Sequence, residues 1–437
     1  MPRVLMVSPH FPPDTGAATH RVRLLAPHLP KYGWEPTVLT VDPRDYEERL
    51  DPELARLVPD DLRVVRCRAL PATWTRRLGV GDLGLRALPG LWRTGRALLA
   101  AERHDAVFIT IYPTYPALLG PALKRRFGIP FVLDYQDPWV GAWGRSVGGG
   151  RDGAPDAKSR VTRALARRLE PRVTRAADAL TAVSRRTLDD VVLRHPDLRR
   201  IPSHEIPVGG EPADFAYLGA HARANPYFDS ADGDVHVSHV GTVLPLGLET
   251  LTAVLQAVAA LRTRRPDLYR RLRVHFFGTS NERSPAAAQR VAPVARRLGV
   301  EDRVTEVAAR IDYLDALTVQ AQSDALLMMG SSERHYTASR LYPGLLARRP
   351  ILAVYHEESS VVRVVRAAAR APSVRLITYG DRERAGSRVE TIAGELASLI
   401  ERPVYDPADV DPAALEEWSA GALAGRLAGV LETVHRA

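Results

Sequence analysis

The sequence predicts an α/β protein of two Rossmann-like parallel-sheet domains facing each other across a cleft. Three observations predict it. At 437 residues the chain is too long for one ordinary core. Short β-rich apolar runs alternate with helical patterns along its length, the signature of parallel sheets. That alternation breaks around residues 209–234 into Gly, Pro, Asp and Ala, the composition of a connection.

In the first half, strands are expected at 4–8, 37–41, 63–68, 106–112, 131–135, 179–183 and 204–208. Helical patterns lie between them at 21–32, 117–127 and 158–176; the last carries Arg160, Arg163, Arg167 and Arg168, which read as a solvated face. After the break a second series runs strand 235–240, helix 248–263, strand 272–277, helix 285–298 and strand 304–307. It continues with helix 314–323, strand 325–329, a helical stretch 340–347 and strand 351–355. The expected division is therefore 1–209, a linker at 210–233, a second domain at 234–411, and a C-terminal helix at 412–437 that returns to the first domain. No short-period repeat points to a solenoid or propeller.

Composition narrows the classes further. With 45% hydrophobic and 25% charged residues, disorder and a fibrous repeat are excluded. The single cysteine, Cys67, rules out an internal disulfide framework and any multi-cysteine metal site. The net charge is +9, and all but three of the 60 basic residues (Lys31, Lys124 and Lys158 excepted) are arginine. They are dispersed and match no nucleic-acid module, so no nucleic-acid partner is expected. The apolar run 4–7 is too short for a secretory signal, which makes a cytoplasmic protein the expectation. The long uncharged run 106–123 is broken by Pro113, Pro116 and Pro121 and reads as a strand followed by a helix start. Residues 71–103 hold Trp74, Arg76, Arg77, Leu91, Trp92 and Arg93. They read either as an amphipathic excursion packed on the sheet or as a surface for an acceptor or the inner face of a membrane.

Ligands of open α/β sheets bind beyond the carboxyl ends of strands, so the residues after each strand carry the functional reading. The first strand leads into PHFPPDTGAATHR, where Gly16 allows backbone to approach a ligand or simply turns the chain. After strand 131–135 come Gln136, Asp137 and Trp139, ahead of the Gly-rich segment GAWGRSVGGGRDGAP. A carboxylate there fits a catalytic or hydroxyl-binding position; the alternative is a turn cap. In the second half Gly241-Thr242 and Gly278-Thr279-Ser280 each follow a strand, and the pair suggests a diphosphate cradle. Neither a dinucleotide fingerprint nor a Walker loop is present.

The opening VLMVSPHFPPDTGAATHRVRLLAPHLPKYGWEPTVLTVDP resembles the start of bacterial family-four glycosyltransferases, which have the GT-B fold. TAVSRRTLDDV (181–191), IPVGGEPADF (206–215), HVGTV (239–243) and SRLYPGLLARRPILAV (339–354) match further blocks of that family in order. The resemblance implies transfer of a sugar from a nucleotide-diphosphate donor to an acceptor hydroxyl, with retention and without a metal or other cofactor. The acceptor would be a glycan, a lipid-linked sugar or a small molecule. It also implies a donor on the second domain, near Gly16, Gly241, Thr242, Gly278, Thr279, Ser339, Arg340 and Tyr342, with Arg340 standing where many relatives have a diphosphate-binding lysine. The acceptor would lie on the first domain near His20, Arg21 and Trp139. Gln136 falls where relatives carry His or Arg, and Asp137 matches an Asp that follows it; with Glu333 these are the expected catalytic residues.

The departures are specific. Relatives carry two spaced glutamates, the second binding nucleotide ribose; here His335 and Pro343 stand in those positions, and Glu333 is out of register. Thr242 and Leu246 replace the usual basic residues of the first donor loop. These losses keep two other readings open: a noncatalytic GT-B protein that binds a nucleotide or glycan and assists a partner, and another GT-B enzyme such as a sugar-nucleotide epimerase.

Overall fold

A computed structural model describes residues 1–140, 157–221, 223–280, 282–284, 286–332 and 340–436, with only the backbone at 157–159. The chain divides into two compact units, Met1–Gly209 with Ala420–Ala437, and Gly210–Ser419.

The first unit is built on seven strands: β1 (Arg3–Val7), β2 (Glu35–Val41), β3 (Arg63–Cys67), β4 (Ala106–Ile111), β5 (Phe131–Tyr135), β6 (Ala179–Ala182) and β7 (Ser203–Glu205). All pair in parallel, in the order β3-β2-β1-β4-β5-β6-β7. Helices cover both faces, which is why the central strands are continuous apolar runs rather than alternating ones. Every residue of β4 is buried. On one face Leu5, Val7 and Ile109 pack with Leu91 and Leu99 of the helix Leu83–Ala101 and Leu123 of the helix Leu119–Phe127. On the other, Val4, Met6 and Phe108 meet Val22 and Leu25 of the helix Thr19–Leu25 and Leu423, Leu427 and Leu431 of the helix Ala420–Arg436. Three- and four-residue spacing puts those leucines on one stripe.

The second unit contains β8 (Val235–Val240), β9 (Leu272–Phe277), β10 (Val304–Val307), β11 (Ala325–Met329), β12 (Ile351–His356) and β13 (Val374–Tyr379). They form a parallel sheet in the order β10-β9-β8-β11-β12-β13. The sheet order reverses between β1 and β4 in one unit and between β8 and β11 in the other. Those reversals are the switch points where crevices open at the carboxyl ends of strands.

Several expectations change. Residues 210–233 are not simply a linker: they hold the helix Pro212–Ala220, whose N-cap Glu211 accepts the Ala213 N–H. Asp214 of that helix is buried and accepts from Tyr313 Oη at 2.7 Å, tying it to the second unit. The C-terminal stretch is not one helix. Pro412–Glu416 belongs to the second unit and Ala420–Arg436 to the first; between them the Trp418 carbonyl accepts the Gly210 N–H at 3.2 Å. The helix expected at 285–298 is confined to Ala292–Leu298, and edge strand β13 has no counterpart in the sequence reading.

Candidate functional site

At the switch point of the second unit, the ends of β8 and β11 and the residue before the helix Leu341–Leu346 line a crevice open to solvent. Its polar lining includes His239, Thr242, Ser331 and Arg340. The Arg340 guanidinium donates from Nη1 to His239 Nε2 at 3.1 Å and from Nη2 to the Thr242 carbonyl at 3.3 Å. This brings Arg340 onto the segment 239–242, about a hundred residues earlier in sequence, and places a permanent cation at the crevice. An arginine there suits an anionic group with two or more acceptor oxygens.

Gly241 takes part differently from the expectation. Its N–H donates to the Phe277 carbonyl at 2.8 Å, and the Val243 N–H donates to the Thr279 carbonyl at 2.9 Å, so this loop extends the sheet rather than offering those amides to a phosphate. What Gly241 supplies is clearance. With φ at +138°, a Cβ there would collide with Arg340 Nη1.

The second expected cradle is absent. The Gly278 N–H donates to the Val307 carbonyl at 2.8 Å. Thr279 is fully buried and gives its hydroxyl proton to Glu306. That carboxylate in turn accepts the N–H groups of Arg290, Val291 and Ala292, at the start of the helix Ala292–Leu298. Tyr342 is also core rather than donor-facing: it is buried and stacks on Trp418 at 5.7 Å between ring centres. Glu333, His335 and Ser339 lie outside the described residues.

The switch point of the first unit has another character. After β1, His10 Nδ1–H donates to Asp14 Oδ2 at 2.6 Å. Asp14 is buried and also accepts the Thr19 hydroxyl at 2.9 Å and the Gly16 N–H at 3.3 Å. Burial pushes the Asp14 pKa up, but the bonds from His10, Thr19 and the backbone outweigh it and hold the carboxyl below its ordinary value. Gly16 thus serves the Asp14 carboxylate, which a Cβ would approach to 3.1 Å. The His10 ring lies near Tyr46 (6.1 Å, nearly parallel) and Tyr112 (6.2 Å).

At the ends of β4 and β5, Gln136 Nε2 donates to Thr110 Oγ1 at 2.6 Å. Asp137 follows, and burial raises its pKa with no compensating partner. Among the described residues no donor bonds its carboxylate, so it is not a turn cap there. Asp82 at the start of the helix Leu83–Ala101 is exposed, and its carboxylate accepts the Leu85 N–H at 2.9 Å. The raised carboxyl of Asp137 near a crevice is a candidate functional group.

The three expected acceptor residues fare differently. Arg21 is fully buried, donates to both oxygens of Asp134 (2.6 and 3.0 Å) and to the carbonyls of Ile206 and Pro207; it braces the sheet. Trp139 is buried in the hydrophobic core. His20 is half-buried and accepts from Arg23 Nε at 3.3 Å. The sequence reading missed His10, Asp14 and His239. The first two lie four residues apart in the loop singled out for Gly16, and His239 opens the HVGTV block. Among the described residues, no group of three or more His, Cys, Asp or Glu could hold a metal ion, and no helix is long and apolar enough to cross a membrane.

Residues 16–209 match the glycosyl transferase 4-like domain. None of the curated proteins matches the sequence. Among solved structures, Anabaena HepE in complex with UDP and glucose is similar at 13% identity and a TM-score of 0.58, covering 99% of this chain and 100% of that one. A UDP-forming α,α-trehalose-phosphate synthase from Burkholderia xenovorans shares 12% identity over 100% of both chains, with a TM-score of 0.59. The N-terminal domain of Candida albicans trehalose-6-phosphate phosphatase shares 10%, over 99% and 97%, at 0.62. At these identities the likeness is one of fold.

Proposed function

We propose that this chain, a GT-B protein whose first unit is a glycosyl transferase 4-like domain, moves a sugar from a nucleotide-diphosphate donor to an acceptor hydroxyl. The observation that carries the reading is Arg340, a cation held at the second switch point by His239 and Thr242. Departure of the diphosphate builds negative charge on the leaving group, and a fixed cation lowers that barrier without reorganising during the reaction. In this reading no metal or other cofactor is needed beyond the donor as co-substrate, because Arg340 supplies the charge.

Transfer proceeds with retention. The acceptor oxygen bonds to the anomeric carbon on the face the diphosphate leaves, and its proton passes to the departing phosphate oxygen. Asp137 orients a hydroxyl of the sugar or acceptor, with Gln136 and His10 beside the same sheet end in the first unit. A lipid-linked acceptor would put the protein in the cytoplasm at the inner membrane face. That part rests on the exposed Trp74 and Leu78 beside Arg77.

UDP is the nucleotide to test first, since it occupies the similar HepE structure. A nucleoside diphosphate should raise the melting temperature, because it binds only the native state, and the matching nucleotide sugar should be hydrolysed slowly without acceptor. Binding without turnover of any donor would favour the noncatalytic reading, which the loss of a ribose-binding carboxylate at Pro343 motivates.

A further inference from the structure

We infer that His239 is the positioning residue of Arg340, a neutral imidazole that seats the guanidinium at the donor crevice. The inference rests on the reading of Arg340 as the diphosphate's partner. His239 is the fifth residue of β8 and is 1% exposed. Its two ring nitrogens have unambiguous roles. Nδ1 lies 2.9 Å from the Leu327 carbonyl, which can only accept, so Nδ1 carries the proton. Nε2 lies 3.1 Å from Arg340 Nη1, which can only donate, so Nε2 presents its lone pair. Burial first, and then the neighbouring guanidinium, push the His239 pKa down to about 3, which keeps this tautomer in place at physiological pH.

The seat has two further parts. The Thr242 carbonyl accepts from Nη2, and the bare Cα of Gly241 lets the guanidinium lie against the loop. One short segment, 239–242, thus offers a ring nitrogen, a clearance and a carbonyl to one planar fork. A long arginine side chain loses much rotamer freedom on being fixed, and acceptors on both Nη atoms meet that cost before a ligand arrives. A lysine has no planar fork with which to meet two acceptors so placed. The competing explanation is a core histidine that packs beside Phe276, 5.7 Å away, and touches Arg340 incidentally.

The experiment measures affinity of the full chain for UDP, uridine and inorganic pyrophosphate by calorimetry. Variants are His239→Leu, His239→Gln, Gly241→Ala, Arg340→Ala and the His239→Leu/Arg340→Ala double. His239→Leu should weaken UDP and pyrophosphate roughly tenfold and leave uridine unchanged. His239→Gln, whose amide oxygen can accept from Nη1, should recover most of the loss. The double variant should bind no worse than Arg340→Ala alone, because the imidazole acts only through the guanidinium.

Equal losses for UDP and uridine, no rescue by glutamine, or additive losses in the double variant would overturn the proposal. Should His239→Leu fail to fold, Gly241→Ala disturbs the same seat without touching the imidazole. It should show the same diphosphate-selective loss, and wild-type UDP affinity there would also overturn the proposal. If Arg340→Ala binds UDP and pyrophosphate as wild type does, the donor reading falls and this proposal with it. If Arg340→Ala weakens binding but His239→Leu does not, this proposal alone falls.

Discussion

The two switch points have the same architecture and opposite equipment. Beyond β8 and β11 the described polar lining is a guanidinium, an imidazole serving it, and small hydroxyl residues. Beyond β1, β4 and β5 stand an imidazole bound to a buried aspartate, an amide, and the Asp137 carboxyl, whose pKa burial raises. In the proposed reading the cation of one crevice meets the diphosphate, and the other meets the acceptor hydroxyl. The difference teaches that a parallel sheet supplies the place for chemistry, while the residues after the strands set its sign. In the second unit the tip amides of Gly241 and Val243 bond to the neighbouring strand end, so the cation of the crevice is a side chain and those amides form no glycine-rich nest.

The largest expected effect tests which polar groups of the first unit are scaffold. Arg21→Met leaves Asp134 buried with only Thr181 as its described partner and should cost about 3–5 kcal/mol of stability. Chemical denaturation measures this. A variant of unchanged stability with weakened acceptor binding would return Arg21 to the acceptor site and enlarge the polar set there.

Next comes Asp137. Asp137→Asn should lower turnover by about a hundredfold or more with nucleotide affinity and melting temperature nearly unchanged. Wild-type turnover would move the reacting carboxylate elsewhere, first to Glu333. For the second unit, Arg340→Ala should weaken a nucleoside diphosphate about ten- to a hundredfold, the worth of a charge-assisted contact of about 1.5–3 kcal/mol, and spare the nucleoside. Equal losses for both ligands would show Arg340 to be structural and would erase the contrast between the crevices.

The smallest effect concerns acid. His275 of β9 bonds to His236 of β8 at 2.9 Å and to Thr305 Oγ1 at 2.7 Å, and both rings stack on Phe228. Burial first, then His236 and Arg273, push the His275 pKa down to about 4. The unfolded chain therefore binds a proton that the folded unit does not, and stability falls as pH drops from about 6.5 toward about 4. The loss should be on the order of 2 kcal/mol between about pH 7 and about pH 4.5. His275→Asn should flatten it, read by hydrogen exchange at β8 and β9. An acid loss confined to the first unit would show that this histidine pair is not its source.

Much of the fold was determined by the sequence alone. Continuous apolar runs such as Val4–Val7 and Ala106–Ile111 have to be buried on both faces, and they alternate with amphipathic helices that can cover them. The position of Arg340 beside a crevice was legible because residues at a helix start beyond a strand lie at the carboxyl end of a parallel sheet. β13 was not legible, because an edge strand with partly exposed positions carries a weaker pattern.

Only the tertiary structure decided what each polar group is bonded to. Arg21 and Tyr342 look available in the sequence, yet the fold spends one on Asp134 and stacks the other on Trp418. Thr279 and Gly241 look like phosphate binders, yet their hydrogen bonds go to Glu306 and Phe277. His239 looks like one more strand residue until Arg340, 101 residues later, is folded against it. The physical reason is that a buried donor or acceptor must find a partner, and in a parallel sheet that partner often comes from a distant segment whose position local sequence does not encode.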